Sequence, residues 1–310
     1  MSGRRTVMAI ARASSSASAL ATPNPCWGAS SITAKTTWSR SDRSFSLIET
    51  MRITGTSRAG IALLVLGVAV LSWGGAATAL PASTVRGEIV VSAAASLTES
   101  FTALGKRFRL LYPQARVRFN FGSTTALVNQ IASGAPVTVF ASADLASQDR
   151  LMQSGNVVTT PRVFARNTMM IAVKPGNPQR IRSLADLANV GTVALCGKTV
   201  PCGVYAASVL QRAGVTIAES SITRGIDAKA TMAGVTFGDA AAALVYATDV
   251  RAGGKSVTAV SIPSRHNVRN VYGISLVRGG PNAAVGRAFM NYVLSTEGRQ
   301  VLKGFGFLAP

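Results

Sequence analysis

The chain has 310 residues, 48% of them apolar and 14% charged, which excludes a disordered polyelectrolyte and leaves enough apolar side chain for a sizeable core. Thirty-two Lys plus Arg against twelve Asp plus Glu give a net charge of +20, and one histidine, His266, with three cysteines removes a zinc cluster and most histidine-based chemistry. What is left is a basic, Gly- and Ala-rich globular protein with few catalytic options.

Residues 1–50 are rich in Ser, Ala, Thr and Arg, hold only Asp42 and Glu49 as acids and show no periodicity, so they are expected to be disordered, or an extension upstream of a start at Met51. From Met51 the pattern becomes Arg52 and Arg58, an apolar run from Ala59 to Leu71, then Gly74, Gly75 and the small-residue site Ala77-Thr78-Ala79, the layout of a secretory signal peptide over 51–79. The competing reading is a membrane anchor. Its strongly apolar part is about 13 residues, short of the roughly 20 that a spanning helix needs. No cysteine follows the run to accept a lipid.

Cleavage after Ala79 leaves 231 residues with 24 Lys plus Arg and 10 Asp plus Glu, a net charge of +14. It also leaves Cys196 and Cys202, an even number in an exported chain, which predicts a disulfide closing a small loop and contributing about 2 kcal/mol. A thioredoxin-like redox pair would need closer spacing than C-x5-C.

The mature part reads as strands alternating with helices. Ile89 to Ser92 is a strand, followed by a helix with Leu97, Phe101, Leu104, Phe108 and Leu111 on one face. Val117, Phe119 and Phe121 form a second strand ending at Gly122, and Leu127 and Ile131 mark the next helix. Val137 to Ala141 is a third strand feeding a helix through Leu145 and Leu151. Met169 to Val173, Val193 to Leu195, Ala243 to Tyr246 and Val271 to Val277 are further strands, and Pro281 to Leu294 is a helix starting at proline, with a short helix from Ser295. Such alternation predicts an α/β protein of mostly parallel sheets flanked by helices, with ligands where strand ends meet helix starts.

Those junctions carry small and hydroxyl residues. Ser96 with Glu99 three residues on predicts a capping box, one of Ser123, Thr124 and Thr125 must cap the second helix, Val200-Pro201-Cys202-Gly203 opens another, and Asp227 is a cap candidate before Ala228 and Lys229. Helix starts converging on one cleft would bind a small oxyanion through orphan N–H groups and dipole ends.

The runs Ala93-Ala94-Ala95-Ser96-Leu97-Thr98, Gly122-Ser123-Thr124-Thr125-Ala126-Leu127 and Gly134-Ala135-Pro136 leading to Val139-Phe140-Ala141-Ser142-Ala143-Asp144 resemble the periplasmic molybdate-binding proteins of ABC transporters. Val200-Pro201-Cys202-Gly203-Val204-Tyr205-Ala206, Leu244-Val245-Tyr246-Ala247-Thr248-Asp249 and the Gly304-Phe305-Gly306-Phe307 ending continue the match in order, over essentially all of residues 87–308. The resemblance implies a two-lobed periplasmic-binding-protein fold with a ligand cleft between the lobes: 87–165 plus 271–310 as one lobe, 166–270 as the other. It further implies that Ser96 and Thr124 offer hydroxyls, Cys202 and Ala228 backbone N–H groups, and Tyr246 its phenol, to a tetrahedral dianion. Thr124 stands where the family usually has Ser, and Cys202 where a small residue such as Ala is common. Molybdenum is then present only as the oxyanion, molybdate or tungstate, with no cofactor. The partner is a permease in the cytoplasmic membrane, and the chain is expected to act as an exported monomer.

Other readings compete. A sulfate carrier of the same fold is the runner-up. A serine-dependent enzyme would need a base near Ser96, yet His266 sits in the polar run Ser264-Arg265-His266-Asn267. No phosphate-cradling G-x-x-x-x-G-K-[ST] run is present. A transcription regulator would need an added DNA-binding helix pair, and the basic residues are scattered without aromatic interleaving, so no nucleic-acid partner is expected.

Overall fold

Alternation of Ile89, Val91 and Ala93 with polar or half-exposed neighbours buries one side of the first strand, β1 (Gly87–Ala94), in the computed structural model, which describes residues 85–310. The expectations for residues 1–50 and for a signal peptide at 51–79 lie outside the described residues. After β1 come α1 (Thr98–Leu111), β2 (Ala115–Gly122), α2 (Thr124–Ala132), β3 (Val139–Ser142), α3 (Leu145–Gln153) and the long strand β4 (Arg162–Val173). The chain continues through β5 (Val193–Cys196), α4 (Pro201–Ala213), β6 (Ile222–Gly225), α5 (Ala228–Thr236), β7 (Ala242–Tyr246) and α6 (Ala247–Gly253). It ends with β8 (Thr258–Val260), β9 (Arg269–Leu276), α7 (Ala283–Leu294) and α8 (Thr296–Gly304).

The strands lie in the order β2-β1-β3-β9-β4-β7-β5-β6, with β8 alongside β4. The sheets are mixed rather than mostly parallel. β1 pairs in parallel with β2 and β3, and β5 with β6 and β7. Every pairing of β4 and β9 is antiparallel, because one carries the chain from the first half to the second and the other carries it back. β4 spans both halves: Arg162–Thr168 pairs with β9, and Met169–Val173 pairs with β7.

The first half of β4 carries no apolar run, since Arg162, Arg166 and Asn167 interrupt it. Asn167 is nevertheless buried, its amide donating to Thr248 Oγ1 at 2.8 Å and to Tyr272 at 3.3 Å. β6 and β8 are short and only half-buried, so they too lack a strong pattern.

Four of the five predicted α1 residues are buried; Leu111 is not, at 53% exposure. The helix ends there, and the ring of Tyr112 packs on Phe108 at 4.8 Å in its place. The last long helix begins at Ala283 and not at Pro281, because Asn282 takes a left-handed conformation (φ 51°) and donates its side-chain amide to Glu88 O. Below the sheet of the first half, Phe101, Phe108, Phe119, Phe164 and Phe289 form a linked aromatic cluster with centroids 5.3 to 6.3 Å apart.

Candidate functional site

Five strand-to-helix junctions meet at one point. The cavity there is lined by Ala94, Ala95 and Ser96 after β1, Gly122, Ser123 and Thr124 after β2, Val200, Pro201 and Cys202 at the start of α4, Asp227 and Ala228 at the start of α5, and Tyr246 at the end of β7. All five residues expected to hold a ligand, Ser96, Thr124, Cys202, Ala228 and Tyr246, are among them. The cavity volume is about 20 Å³, far below the roughly 300 Å³ or more of a site for a drug-sized molecule. Its guest must be small and compact.

The capping box predicted for Ser96 and Glu99 does not form. Ala95–Leu97 makes a 3-10 turn, so α1 starts at Thr98, with Thr98 Oγ1 donating to Ala95 O. Ser96 is released to bond Tyr272 Oη at 2.8 Å, and Glu99 reaches Lys229 Nζ at 2.7 and 2.8 Å. Of the three hydroxyl residues before α2, Ser123 is the cap, accepting from Ala126 N. Thr124 Oγ1 accepts from Ala143 N at 3.2 Å, so its own proton remains to be given elsewhere. Asp227 caps α5 as expected, accepting from Ala230 N at 2.9 Å.

Cys202 and Ala228 occupy the second and first positions of α4 and α5, where a helix has no acceptor for its N–H groups. α4 also lacks a side-chain cap and starts at Pro201. Its first turn packs so tightly that a Cβ on Gly203 would lie 2.0 Å from Gly197 O. The Cys196–Cys202 disulfide ties the same turn to the end of β5, with Cα atoms 5.7 Å apart.

Tyr246 is 2% exposed, and its hydroxyl has no hydrogen-bond partner among the described residues. Burial is the main cause that raises the phenol well above its ordinary pKa, so it keeps its proton at neutral pH. An orphaned buried O–H costs about 1 to 3 kcal/mol, which a guest accepting from it would offset. The lining therefore offers hydroxyls, helix-start amides and one phenol. Neither Lys nor Arg lines it, and its one carboxylate, Asp227, is engaged with the α5 backbone.

Lys229, next in sequence to Ala228, bonds Glu99 across from α1 and lies 3.4 Å from the buried Asp249 of α6. Burial pushes Asp249 up to about 6, with Lys229 opposing that rise. Thr125 Oγ1, one residue past Thr124, donates to Thr199 O at 3.0 Å. The sequence pattern gave no role to Lys229 or Tyr272, since both act on neighbours 130 and 176 residues away. His266 lies in another loop, where its Nδ1 bonds Arg212 O, and it does not line the cavity. Ser96 thus faces a phenol and no base.

The chain belongs to the bacterial extracellular solute-binding protein family, which it matches over residues 89–308. It is therefore an exported solute-binding protein and not an enzyme. It is 34% identical over 263 residues, 84% of this chain and all of the relative, to the molybdate-binding protein ModA of Mycobacterium tuberculosis strain H37Rv. Its fold is that of the Azotobacter vinelandii periplasmic molybdate-binding protein (TM-score 0.65, 19% identity, 72% of this chain and 99% of the other). The sulfate-binding protein SubI of M. tuberculosis shares the fold at a TM-score of 0.64 and 16% identity, over 72% and 86% of the two chains.

Proposed function

We propose that this solute-binding protein captures molybdate, and tungstate with it, in the cavity between its two halves and delivers it to the permease of an ABC transporter. Ser96 and Thr124 donate hydroxyls, Cys202 and Ala228 donate backbone N–H groups, and Tyr246 donates its phenol. The observation that carries this reading is the buried hydroxyl of Tyr246, without a hydrogen-bond partner among the described residues, on a cavity lined by five strand-to-helix junctions with no Lys or Arg among its described lining residues. The 34% identity to a mycobacterial molybdate-binding protein supports the choice of anion.

The donors suffice energetically. A hydrogen bond to a charged acceptor contributes roughly 1.5 to 3 kcal/mol, so five of them total about 7.5 to 15 kcal/mol, a range that spans the roughly 8 kcal/mol of a micromolar complex. Donor chemistry also selects the guest: hydrogen phosphate keeps a proton with no acceptor facing it, whereas molybdate, tungstate and sulfate are fully ionised.

The lobe boundaries are part of the same proposal: 87–165 with 271–310 form one lobe and 166–270 the other. The change of β4 partner between Thr168 and Met169 supports a crossing at that point. Calorimetry of the purified protein with molybdate, tungstate, sulfate and phosphate tests the whole reading. Molybdate and tungstate are expected to bind at micromolar concentration or below and phosphate not at all; tighter sulfate than molybdate binding would transfer the assignment to sulfate.

A further inference from the structure

We propose that the end of the first half farthest from the cavity is a membrane-contact surface that docks the exported protein on a bilayer of anionic lipid. This goes beyond the capture of an oxyanion and does not depend on which oxyanion is bound. A groove of about 490 Å³ runs there between α1 and the edge strand β2, lined by Lys106, Arg109, Arg116 and Arg118 with a single acid, Glu88. All four cations are exposed, and the one ion pair among them, Arg118 with Glu88 at 3.5 Å, is open to solvent at both ends.

Ordinary helix chemistry accounts for Arg109, which complements the carboxyl end of α1. It does not account for Arg116 and Arg118, which stand two apart on one face of the neighbouring strand, nor for the two leucines next to Arg109. Leu110 and Leu111 are 81% and 53% exposed, an adjacent pair of large apolar side chains that follow Arg109 of the groove at the end of α1. Cations at headgroup phosphates with leucines entering the acyl boundary are the chemistry of a peripheral membrane contact.

A nucleic-acid strand fits less well. The aromatic ring that lines the groove, Phe119, is committed to Phe101, Phe121 and Phe289 and offers no stacking platform. Position favours the membrane too. The groove spans the amino half of β2 from Arg116 to Phe119, while the cavity lies at the carboxyl ends of β1 and β2, about 10 to 20 Å away at the usual strand rise. Docking there leaves the mouth of the cavity unobstructed.

The test is co-sedimentation of the exported protein with vesicles of phosphatidylglycerol mixed with phosphatidylcholine, and of phosphatidylcholine alone. The paired variants are Arg116→Glu with Arg118→Glu, and Leu110→Ser with Leu111→Ser, each carrying the same N-terminus as the parent. The parent is expected to bind the anionic vesicles, weakly in high salt, and to ignore phosphatidylcholine. At about a fivefold change per surface cation, the double reversal is expected to weaken binding by tenfold or more, and the leucine pair severalfold. Molybdate calorimetry and melting temperature should stay the same in both variants, since neither pair touches the cavity. Equal binding to both vesicle types, binding unaffected by either variant, displacement by millimolar inorganic phosphate, or capture of an oligonucleotide in preference to vesicles would each overturn the assignment.

Discussion

The phenol of Tyr272 lies 2.8 Å from Ser96 Oγ, inside a core where both residues are nearly inaccessible. Asn167 donates its amide to the same phenol at 3.3 Å. Tyr272 can therefore accept from Asn167 and give its proton to Ser96, which turns the serine proton toward the cavity. The residue that orients this cavity-lining hydroxyl thus sits on β9, one of the two strands that link the halves.

Replacing Tyr272 by Phe removes that orientation without touching the cavity wall. Molybdate affinity should fall by about fivefold, the equivalent of one ordinary hydrogen bond, with a melting temperature a few degrees lower. Calorimetry beside a thermal melt checks both, and an unchanged affinity would show that Ser96 needs no such partner.

Tyr246→Phe should behave in the opposite way. The hydroxyl it deletes has no partner among the described residues, so the ligand-free melting temperature is expected to hold or rise slightly, while molybdate affinity falls by about tenfold to a hundredfold. A large loss of ligand-free stability would mean that the phenol has a structural role instead.

Glu99→Gln breaks the ion pair to Lys229 that bridges α1 and α5, with Lys229 next to Ala228 of the cavity lining. Both partners are about one-third exposed, so the pair contributes on the order of 0.5 to 1 kcal/mol. Stopped-flow release of molybdate should accelerate by about two- to fivefold, with the difference shrinking in high salt. A release rate identical to the parent at low salt counts against a latch.

Asp249 ties stability to pH. Burial raises its folded pKa from 3.8 to about 6, so folding favours the protonated form. Its stabilising contribution is complete below the unfolded value and is lost as pH rises through about 6. Urea unfolding of the parent and of Asp249→Asn should therefore diverge: the parent loses up to about 3 kcal/mol relative to the variant between roughly pH 4 and pH 7. A pH-independent difference would exclude a raised Asp249.

Reducing the Cys196–Cys202 bridge frees a loop of six residues' separation, which should cost about 2 kcal/mol and lower the melting temperature by about 4 to 8 °C. Since Cys202 is assigned a backbone role, molybdate should still bind, more weakly. Two reactive thiols in the untreated exported protein would remove the bridge altogether.

Most strands and helices are legible in the sequence because their cores repeat at periods set by backbone geometry: Leu97, Phe101, Leu104 and Phe108 are buried as that spacing requires. The strands that escape such a reading, β6, β8 and the first half of β4, are the half-exposed or polar ones. There, burial is set by partners distant in sequence, as when Thr248 and Tyr272 satisfy Asn167. Leu111 departs from expectation for the complementary reason, since periodicity continues on paper past the turn where the helix stops.

The order of hydroxyl, small and aromatic residues along the chain carried the family resemblance that pointed to five positions, and all five line one cavity. Tertiary structure decided what those residues do together. It withdrew Ser96 from capping and handed it to Tyr272, sent Glu99 to Lys229, and left Tyr246 without a partner among the described residues. The first two of these outcomes join segments more than a hundred residues apart, which no local spacing encodes.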